Sequence, residues 1–206
     1  MNSTLILASA SPRRRELLTQ AGYRFEVQPS SLPESRRPGE DAIRFATRLA
    51  REKAEEVFAR NQSSTGRPPV MVLGADTVVV CDGEIMGKPA DAADAIRMLL
   101  LLSGRTHQVV TGVAVVWGLG SAEVAAELTQ VTMRTLSPQE MADYVASGEP
   151  MDKAGAYAIQ GYAGRWIPRI NGCYFNVVGL PLALVTSLLE GAELRLKSQQ
   201  KDLSLR

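Results

Sequence analysis

The chain opens with a short apolar strand that runs straight into a marked helix, and this pair commits the fold to strands backed by helices. Leu5 to Ala8 is the kind of apolar run that makes a buried strand. Ser11 and Pro12 then start a helix, with a hydroxyl as N-cap and proline at the first helical position. Gly22 ends it after Leu17, Leu18 and Ala21. Arg13, Arg14 and Arg15 follow the start directly, where the positive end of the helix dipole disfavours cations. Three arginines there point to a strong anion such as a polyphosphate at that helix end. A solvated basic turn is the plainer reading, and this segment alone leaves both open.

The remaining chain alternates strand-like and helical stretches. Tyr23 to Gln28 reads as a strand, Pro29 to Gly39 as a loop, and Glu40 to about Arg60 as a long amphipathic helix. Asn61 to Pro69 reads as a flexible polar connection. Val70–Leu73 and Thr77–Cys81 are apolar runs, and Asp82-Gly83 forms a hairpin turn into Glu84, Ile85 and Met86. Asp91 caps a helix that stops at Gly104. His107–Trp117 and Glu123–Thr135 read as paired strands around Gly118 to Ser121. Ser137-Pro138-Gln139-Glu140 is a capping box for a helix ending at Gly148. A Gly- and aromatic-rich region follows from Asp152 to Leu180. Pro181 to Glu190 is expected as the last helix, with a polar, amphipathic tail from Gly191 to Arg206. Because some strand pairs are hairpins, the expected class is α/β with a mixed, twisted sheet.

A chain of 206 residues holds one domain, or two small lobes about a cleft. With 23 basic against 22 acidic residues, no global field argues for nucleic acid or a membrane surface. A polyanion site must then be a local cluster. No segment reaches membrane-spanning length and no leader pattern is seen, so a cytoplasmic protein is expected. Cys81 and Cys173 have no CxxC partners, and His107 is the single histidine, which disfavours zinc frameworks and His-based triads. Ser9 with His107 has no sequence context of a hydrolase pair. Gly118 to Glu123 starts like a dinucleotide fingerprint but lacks its third glycine, and a strand follows it. Trp117, Trp166 and the tyrosines read as packing residues.

Three residues break their local pattern. Asp76 stands among apolar neighbours from Val70 to Val80, so its carboxylate needs a cation, a metal or hydrogen bonds. Lys53 falls on the apolar stripe of its helix with Ala46, Leu49, Ala50 and Val57. Lys88 sits in a tight Gly-Lys-Pro loop. The plainer readings are an Asp satisfied by backbone N–H groups, a snorkelling lysine and a solvated loop lysine. If the elements converge, Arg13, Lys53 and Lys88 supply cations to one cleft. Glu34 and Asp76 would then supply oxygen ligands for a hard divalent cation, Mg²⁺ or Mn²⁺. That combination suits metal-assisted attack of water on a phosphoanhydride.

Read together, these segments resemble the Maf family of nucleoside triphosphate pyrophosphatases. The matching stretches are Leu7–Arg14, Ala50–Ala54, Gly74–Val79, Gly87–Pro89, Leu102–His107 through Val113, Ser147–Pro150, Tyr157–Gly161 and Asn176–Leu182, in order. The resemblance implies a fold like that of inosine triphosphate pyrophosphatases, with two lobes around a central cleft. It implies one catalytic domain over residues 1–190, divalent-metal dependence, a homodimer, and hydrolysis of a nucleoside triphosphate to the monophosphate and pyrophosphate.

It also implies that Asp76 is the general base, and that Ser9, Arg13, Arg14, Lys53 and Lys88 belong to the phosphate site. Glu34 with Asp76 would hold metal, although Ser30 to Glu34 carries fewer acidic residues than the family's usual loop. Thr77 after the Asp, and Lys153 through Gly161 with Gln160, match the branch acting on dTTP and UTP. Arg13, Thr77 and Gln160 are the expected specificity residues. The Gln160 amide can accept from N3–H of uracil or thymine and donate to a ring carbonyl. House-cleaning of nucleotide pools, possible modified uridine triphosphates included, is the implied role. The alternatives are a non-catalytic nucleotide-binding regulator of cell division and a pyrophosphatase for modified purine triphosphates.

Overall fold

The computed structural model describes residues 3–62 and 69–204, with side chains through residue 198. Residues 63–68, most of the expected flexible connection, lie outside the described residues. The elements are β1 (Thr4–Leu7), α1 (Pro12–Gln20), β2 (Glu26–Val27), α2 (Ala42–Asn61), β3 (Val70–Cys81), β4 (Glu84–Met86), α3 (Ala92–Leu102), β5 (Thr106–Gly118), β6 (Ser121–Thr132), α4 (Pro138–Ala146), β7 (Arg169–Asn171), α5 (Tyr174–Val178) and α6 (Leu182–Ser204). Three single turns of 3₁₀ helix, Glu149–Asp152, Ala154–Ala156 and Tyr162–Trp166, lie between α4 and β7.

The sheet is mixed, as expected. Its strand order is β2-β1-β3-β5-β6-β7, with β4 paired to β3. β1 pairs parallel with β2 and with β3, in the register Leu5↔Met71 and Leu7↔Leu73. β4 is antiparallel to the end of β3, and β7 to the end of β6. The chain packs as two compact units. One comprises the chain through Asp76, Gly112–Ala126 and the chain from Gly179 on; the other comprises Thr77–Thr111 and Glu127–Val178.

The core of the first unit joins Ile6 and Ala8, Val72, Ala114 and Val116 to Ala50, Ala54 and Val57 of α2. Small residues four apart on α2 let that helix lie unusually close to the strands. A Cβ at Gly74 of β3 would sit 2.0 Å from the Ala50 carbonyl oxygen, and one at Gly112 of β5 would sit 2.4 Å from that of Ala46. The core of the second unit gathers Met86, Leu99, Leu102, Met133, Tyr144, Tyr157 and Trp166. Trp166 is fully buried, which fits its reading as packing.

Local signals placed most helix ends correctly. Asp41 and Asp91 accept from Arg44 N and Asp94 N, and Ser137 with Glu140 closes the capping box. α1 ends with Gly22 at φ 79°, with Gly22 N bonded to Thr19 O and Tyr23 N to Leu18 O, a Schellman close. Three expectations are corrected. The two apolar runs around Asp76 form one continuous strand, β3, because the residues between them keep extended pairing. The strand expected over Tyr23–Gln28 shortens to Glu26–Val27.

The third correction concerns the last helix, which does not stop before Gly191 but runs to Ser204. A helical glycine costs only about 1 kcal/mol relative to alanine, and Leu188, Leu189 and Ala192 beside it are buried. A Cβ at Gly191 would come within 2.9 Å of the Glu123 carboxylate, which pairs with Arg195 at 2.7 Å and could shift to admit it. Among the described residues no helix is long and apolar enough to cross a membrane. Cys81 and Cys173 are both free thiols.

His107 lies 1% exposed in the second unit, its Nε2 2.7 Å from the Tyr157 hydroxyl and its Nδ1 without a hydrogen-bond partner. Burial pushes the imidazole down to about 4 from its ordinary 6.5. The folded state therefore binds fewer protons than the unfolded chain between those values, and stability rises with pH through that window. We expect the urea midpoint to hold steady above pH 6.5 and to fall toward pH 5 by an amount equivalent to roughly 2 kcal/mol. A His107→Phe variant should flatten that dependence; an equally steep fall in the variant would show that other groups cause it.

Candidate active site

The close approach at Gly74 positions the chemistry. Side chains alternate along a strand, so Asp76 faces the same side of β3 as Gly74. On α2, Lys53 stands one turn beyond Ala50, which touches Gly74. The Lys53 ammonium donates to Asp76 Oδ1 at 2.6 Å and to Glu34 Oε1 at 2.5 Å. Lys53 is 7% and Asp76 6% exposed. The snorkelling reading of Lys53 therefore fails: the lysine is buried between two carboxylates. Burial pushes the Asp76 carboxyl up, against the pull of Lys53 and then Arg14.

Arg14 forms a second brace. Its Nε donates to Gly179 O at 2.8 Å, and its Nη1 donates to Ser9 Oγ at 3.1 Å and to Ala75 O at 2.9 Å. Burial pulls this guanidinium down while Asp76 and Glu34 hold it up. Arg14 was expected at the phosphate site as a support beside Arg13, and these bonds anchor the residue before Asp76. The Ser9 hydroxyl also accepts from Ser11 N at 3.2 Å. Ser11 occupies the N-cap position, but its own hydroxyl makes no capping bond. That corrects the sequence reading: the nearby hydroxyl that meets the turn is the one on Ser9. Arg13 is half-buried in the first turn of α1, and Arg15 is exposed.

Glu34 is held by its loop rather than by burial. Arg48 of α2 donates to both Glu40 carboxylate oxygens, at 2.5 and 2.8 Å, and to Ser35 O at 2.9 Å. Arg37 reaches Glu52 at 2.7 Å, and Ser31 N donates to Glu56 at 3.2 Å. These bonds staple the segment carrying Glu34 along α2. The Arg48 guanidinium holds the Glu40 carboxyl down at about 2.

Thr77, Lys88 and Gln160 belong to the second unit. The Thr77 hydroxyl is 2.9 Å from that of Thr111. Lys88 is exposed on the loop after β4, and Gly155 N donates to the Gly87 carbonyl beside it at 3.0 Å. Gly155 and Ala156 both have positive φ, 67° and 57°. A Cβ on Gly155 would press to 2.8 Å from Val79, so only glycine fits there. Gln160 is exposed on the next turn. Its neighbour Gly161 lies over Glu149, whose Oε1 accepts from the Tyr144 hydroxyl at 2.9 Å and from Tyr162 N at 3.2 Å. Glu149, Gly155 and Thr111 were quoted as motif members without a role. The partners of Gly155 and Thr111 are far off in sequence, and those of Glu149, at 5 and 13 positions, follow no helix or strand period, so local pattern held no signal for what they do.

Glu34 and Asp76 each bring an oxygen to one point, now met by the Lys53 ammonium. Two convergent carboxylates suit a hard divalent cation completed by water and phosphate oxygens. Among the described residues no cluster of three or more His, Cys, Asp and Glu side chains stands ready to hold a metal by itself.

Lys53 thus holds the buried Asp76 carboxylate, and Arg14 holds the carbonyl just before it, beside the arginine-bearing start of α1. Comparison with known proteins gives the family. A family model described as Maf-like protein matches residues 4–192. The chain is 52% identical over 188 residues to a dTTP/UTP pyrophosphatase of Koribacter versatilis, covering 91% of this chain and 94% of that protein. It is 53% identical over 185 residues to one of Geobacter metallireducens, covering 89% and 93%. A third, from Salmonella typhimurium, is 51% identical over 187 residues, covering 91% and 92%. The chain belongs to the Maf family. Among solved structures, a HAM1 protein from Coxiella burnetii overlays 77% of this chain and 88% of that one at 16% identity, with a TM-score of 0.45.

Gly74→Ala should drive β3 and α2 apart. Overpacking of this kind costs on the order of 1–3 kcal/mol, and the displacement would take Lys53 out of reach of Asp76. We expect a lower melting temperature together with a loss of activity of about 100-fold at temperatures where the variant is still folded. Full activity in a folded Gly74→Ala protein would show that the close approach does not position the site.

Proposed function

We propose that this protein hydrolyses dTTP and UTP to the monophosphate and pyrophosphate. The observation that carries the reading is the buried Asp76 carboxylate clasped by Lys53. It is supported by relatives of that name at about half identity over nine-tenths of the chain, and by Thr77 and Gln160 standing where the dTTP/UTP branch carries them.

In this reading, water attacks the α-phosphorus, the bond to the bridging oxygen of the β-phosphate breaks, and pyrophosphate leaves. The proton of the attacking water passes to Asp76. Burial favours that transfer, because a carboxylate shifted upward is a stronger base than an ordinary aspartate. Lys53 keeps Asp76 oriented and favours its ionised form. Arg13 and Lys88 supply positive charge to the triphosphate, and Arg14 with Ser9 holds the Asp76 backbone in place. Glu34 and Asp76 would hold the divalent cation, Mg²⁺ or Mn²⁺, which when bound neutralises phosphate charge and polarises the phosphoryl group. The Gln160 amide meets the imide edge of the base. Residues 1–190 act as one catalytic domain, in a cytoplasmic homodimer that clears surplus or modified pyrimidine nucleotides.

A panel of nucleoside triphosphates, scored for pyrophosphate release with Mg²⁺, Mn²⁺ or EDTA, tests this directly. We expect dTTP and UTP to lead and EDTA to abolish turnover. Release from modified purine triphosphates at equal rates, or nucleotide binding with no release, would favour the alternatives. Asp76→Asn should keep the fold and lose turnover by about 1,000-fold or more. The acid limb of kcat/KM in the wild type should lie above the ordinary aspartate value of 3.8. Near-normal turnover by the variant would remove Asp76 as base.

Gln160→Glu places a carboxylate against ring carbonyl oxygens. It should cost uridine selectivity by about 10-fold in relative kcat/KM. Unchanged relative rates across the panel would take Gln160 out of base recognition.

A further inference from the structure

We propose that Thr111 and Asn176 fix the direction of the Thr77 hydroxyl, so that Thr77 meets its substrate only as a hydrogen-bond acceptor and takes the N3–H of uracil or thymine. This rests on the dTTP/UTP reading above and deepens it. All three residues lie in the second unit.

The inference follows from counting protons. Thr111 is fully buried, and its hydroxyl lies 3.2 Å from the Asn176 main-chain oxygen and 2.9 Å from the Thr77 hydroxyl. A carbonyl can only accept, so the one Thr111 proton goes to Asn176. The second contact must then run from Thr77 to Thr111. With its proton drawn inward, the Thr77 oxygen has only lone pairs to offer to anything else that meets it.

The far end of this relay is rigid. Asn176 is fully buried, and its Nδ2 donates to Val109 O and to Thr129 Oγ1, both at 3.0 Å. Thr129 in turn donates to Cys173 O at 3.1 Å and accepts from Cys173 N at 3.0 Å. Both Nδ2 protons are thus taken, which pins the Asn176 side chain although its Oδ1 has no hydrogen-bond partner, and the main-chain oxygen that faces Thr111 belongs to this anchored residue. A buried carbonyl left without its donor would cost about 1–3 kcal/mol, which keeps the chain of bonds in one sense.

The chemistry of the base does the rest. The bases of UTP and dTTP carry a single hydrogen-bond donor, N3–H, flanked by two carbonyls. Cytosine has an acceptor at the same ring position. An acceptor-only hydroxyl therefore rewards uracil and thymine and opposes lone pair to lone pair with cytosine. It also assigns N3–H to Thr77 and leaves the Gln160 amide N–H for a ring carbonyl. Thr111 is in this scheme a positioning residue: it acts through Thr77.

The test compares kcat/KM for UTP and CTP in the wild type, Thr111→Val and Thr111→Ser, with melting temperatures for each. Valine removes the relay while keeping shape, and serine restores it. We expect the UTP/CTP ratio to fall about 10-fold in Thr111→Val and to return to within about threefold of wild type in Thr111→Ser. A valine variant that melts lower yet keeps the ratio within twofold would overturn the proposal and leave Thr111 a packing residue. A wild type that treats UTP and CTP alike would sink the dTTP/UTP reading, and this inference with it. The direction of the bonds is then judged by NMR of the hydroxyl protons. Slow exchange of both the Thr77 and Thr111 hydroxyls, with protection of Thr77 lost in Thr111→Val, supports the relay; fast exchange of both in the wild type overturns it.

Discussion

The contact between Gly74 of β3 and Ala50 of α2 is the constraint on which the first unit's chemistry depends. Helix and strand touch backbone to backbone there, with no room for a Cβ. Only at that separation can a lysine one turn along the helix reach a carboxylate two residues along the strand. The alanines at positions 46, 50 and 54 serve the same end, since larger side chains would hold the helix off. Tight packing and polar chemistry are thus one arrangement. The apolar contact sets the distance over which the Lys53–Asp76 bond forms, and the bond satisfies a charge that packing alone would leave stranded.

A second theme is that the site's charges are held by the protein itself. Arg14 spends its donors on a hydroxyl and two carbonyls from three separate segments. A lysine could not reproduce that fork, because its donors radiate from a single point. Glu34 is mostly exposed, yet it is delivered to Lys53 by a loop stapled along α2 through Arg48, Glu40, Arg37 and Glu52. Single exposed pairs of this kind contribute little, but a network fixes geometry at a small entropic cost per bond.

Much of this was legible in the sequence, for identifiable reasons. Asp76 and Lys53 stood out because each violates the apolar pattern of its own element, and such violations need partners. The helix ends at Asp91 and Ser137 were readable because caps are local. Gly191 misled, because a glycine tolerated inside a helix looks the same in sequence as one that ends it. The Ser11 hydroxyl misled likewise: it makes no capping bond, and Ser9 instead accepts from the Ser11 N–H ahead of the helix. Thr111 and Asn176 could be quoted but not interpreted. Their meaning lies in contacts across tens of residues, which no periodicity records.

Asp76 and Thr77 are neighbours on one strand, and this adjacency has a consequence for how such an enzyme can diversify. Alternation sends the carboxylate and the hydroxyl to opposite faces of β3. The strand is pinned on one side by parallel pairing with β1 at Val70–Leu73 and on the other by the hairpin to β4 at Val79–Cys81. Neither residue can slip into the other's place. With the roles proposed for them, a substitution at position 77 would alter recognition without moving Asp76. The backbone thus separates innovation in substrate choice from inheritance of the reaction, one residue apart.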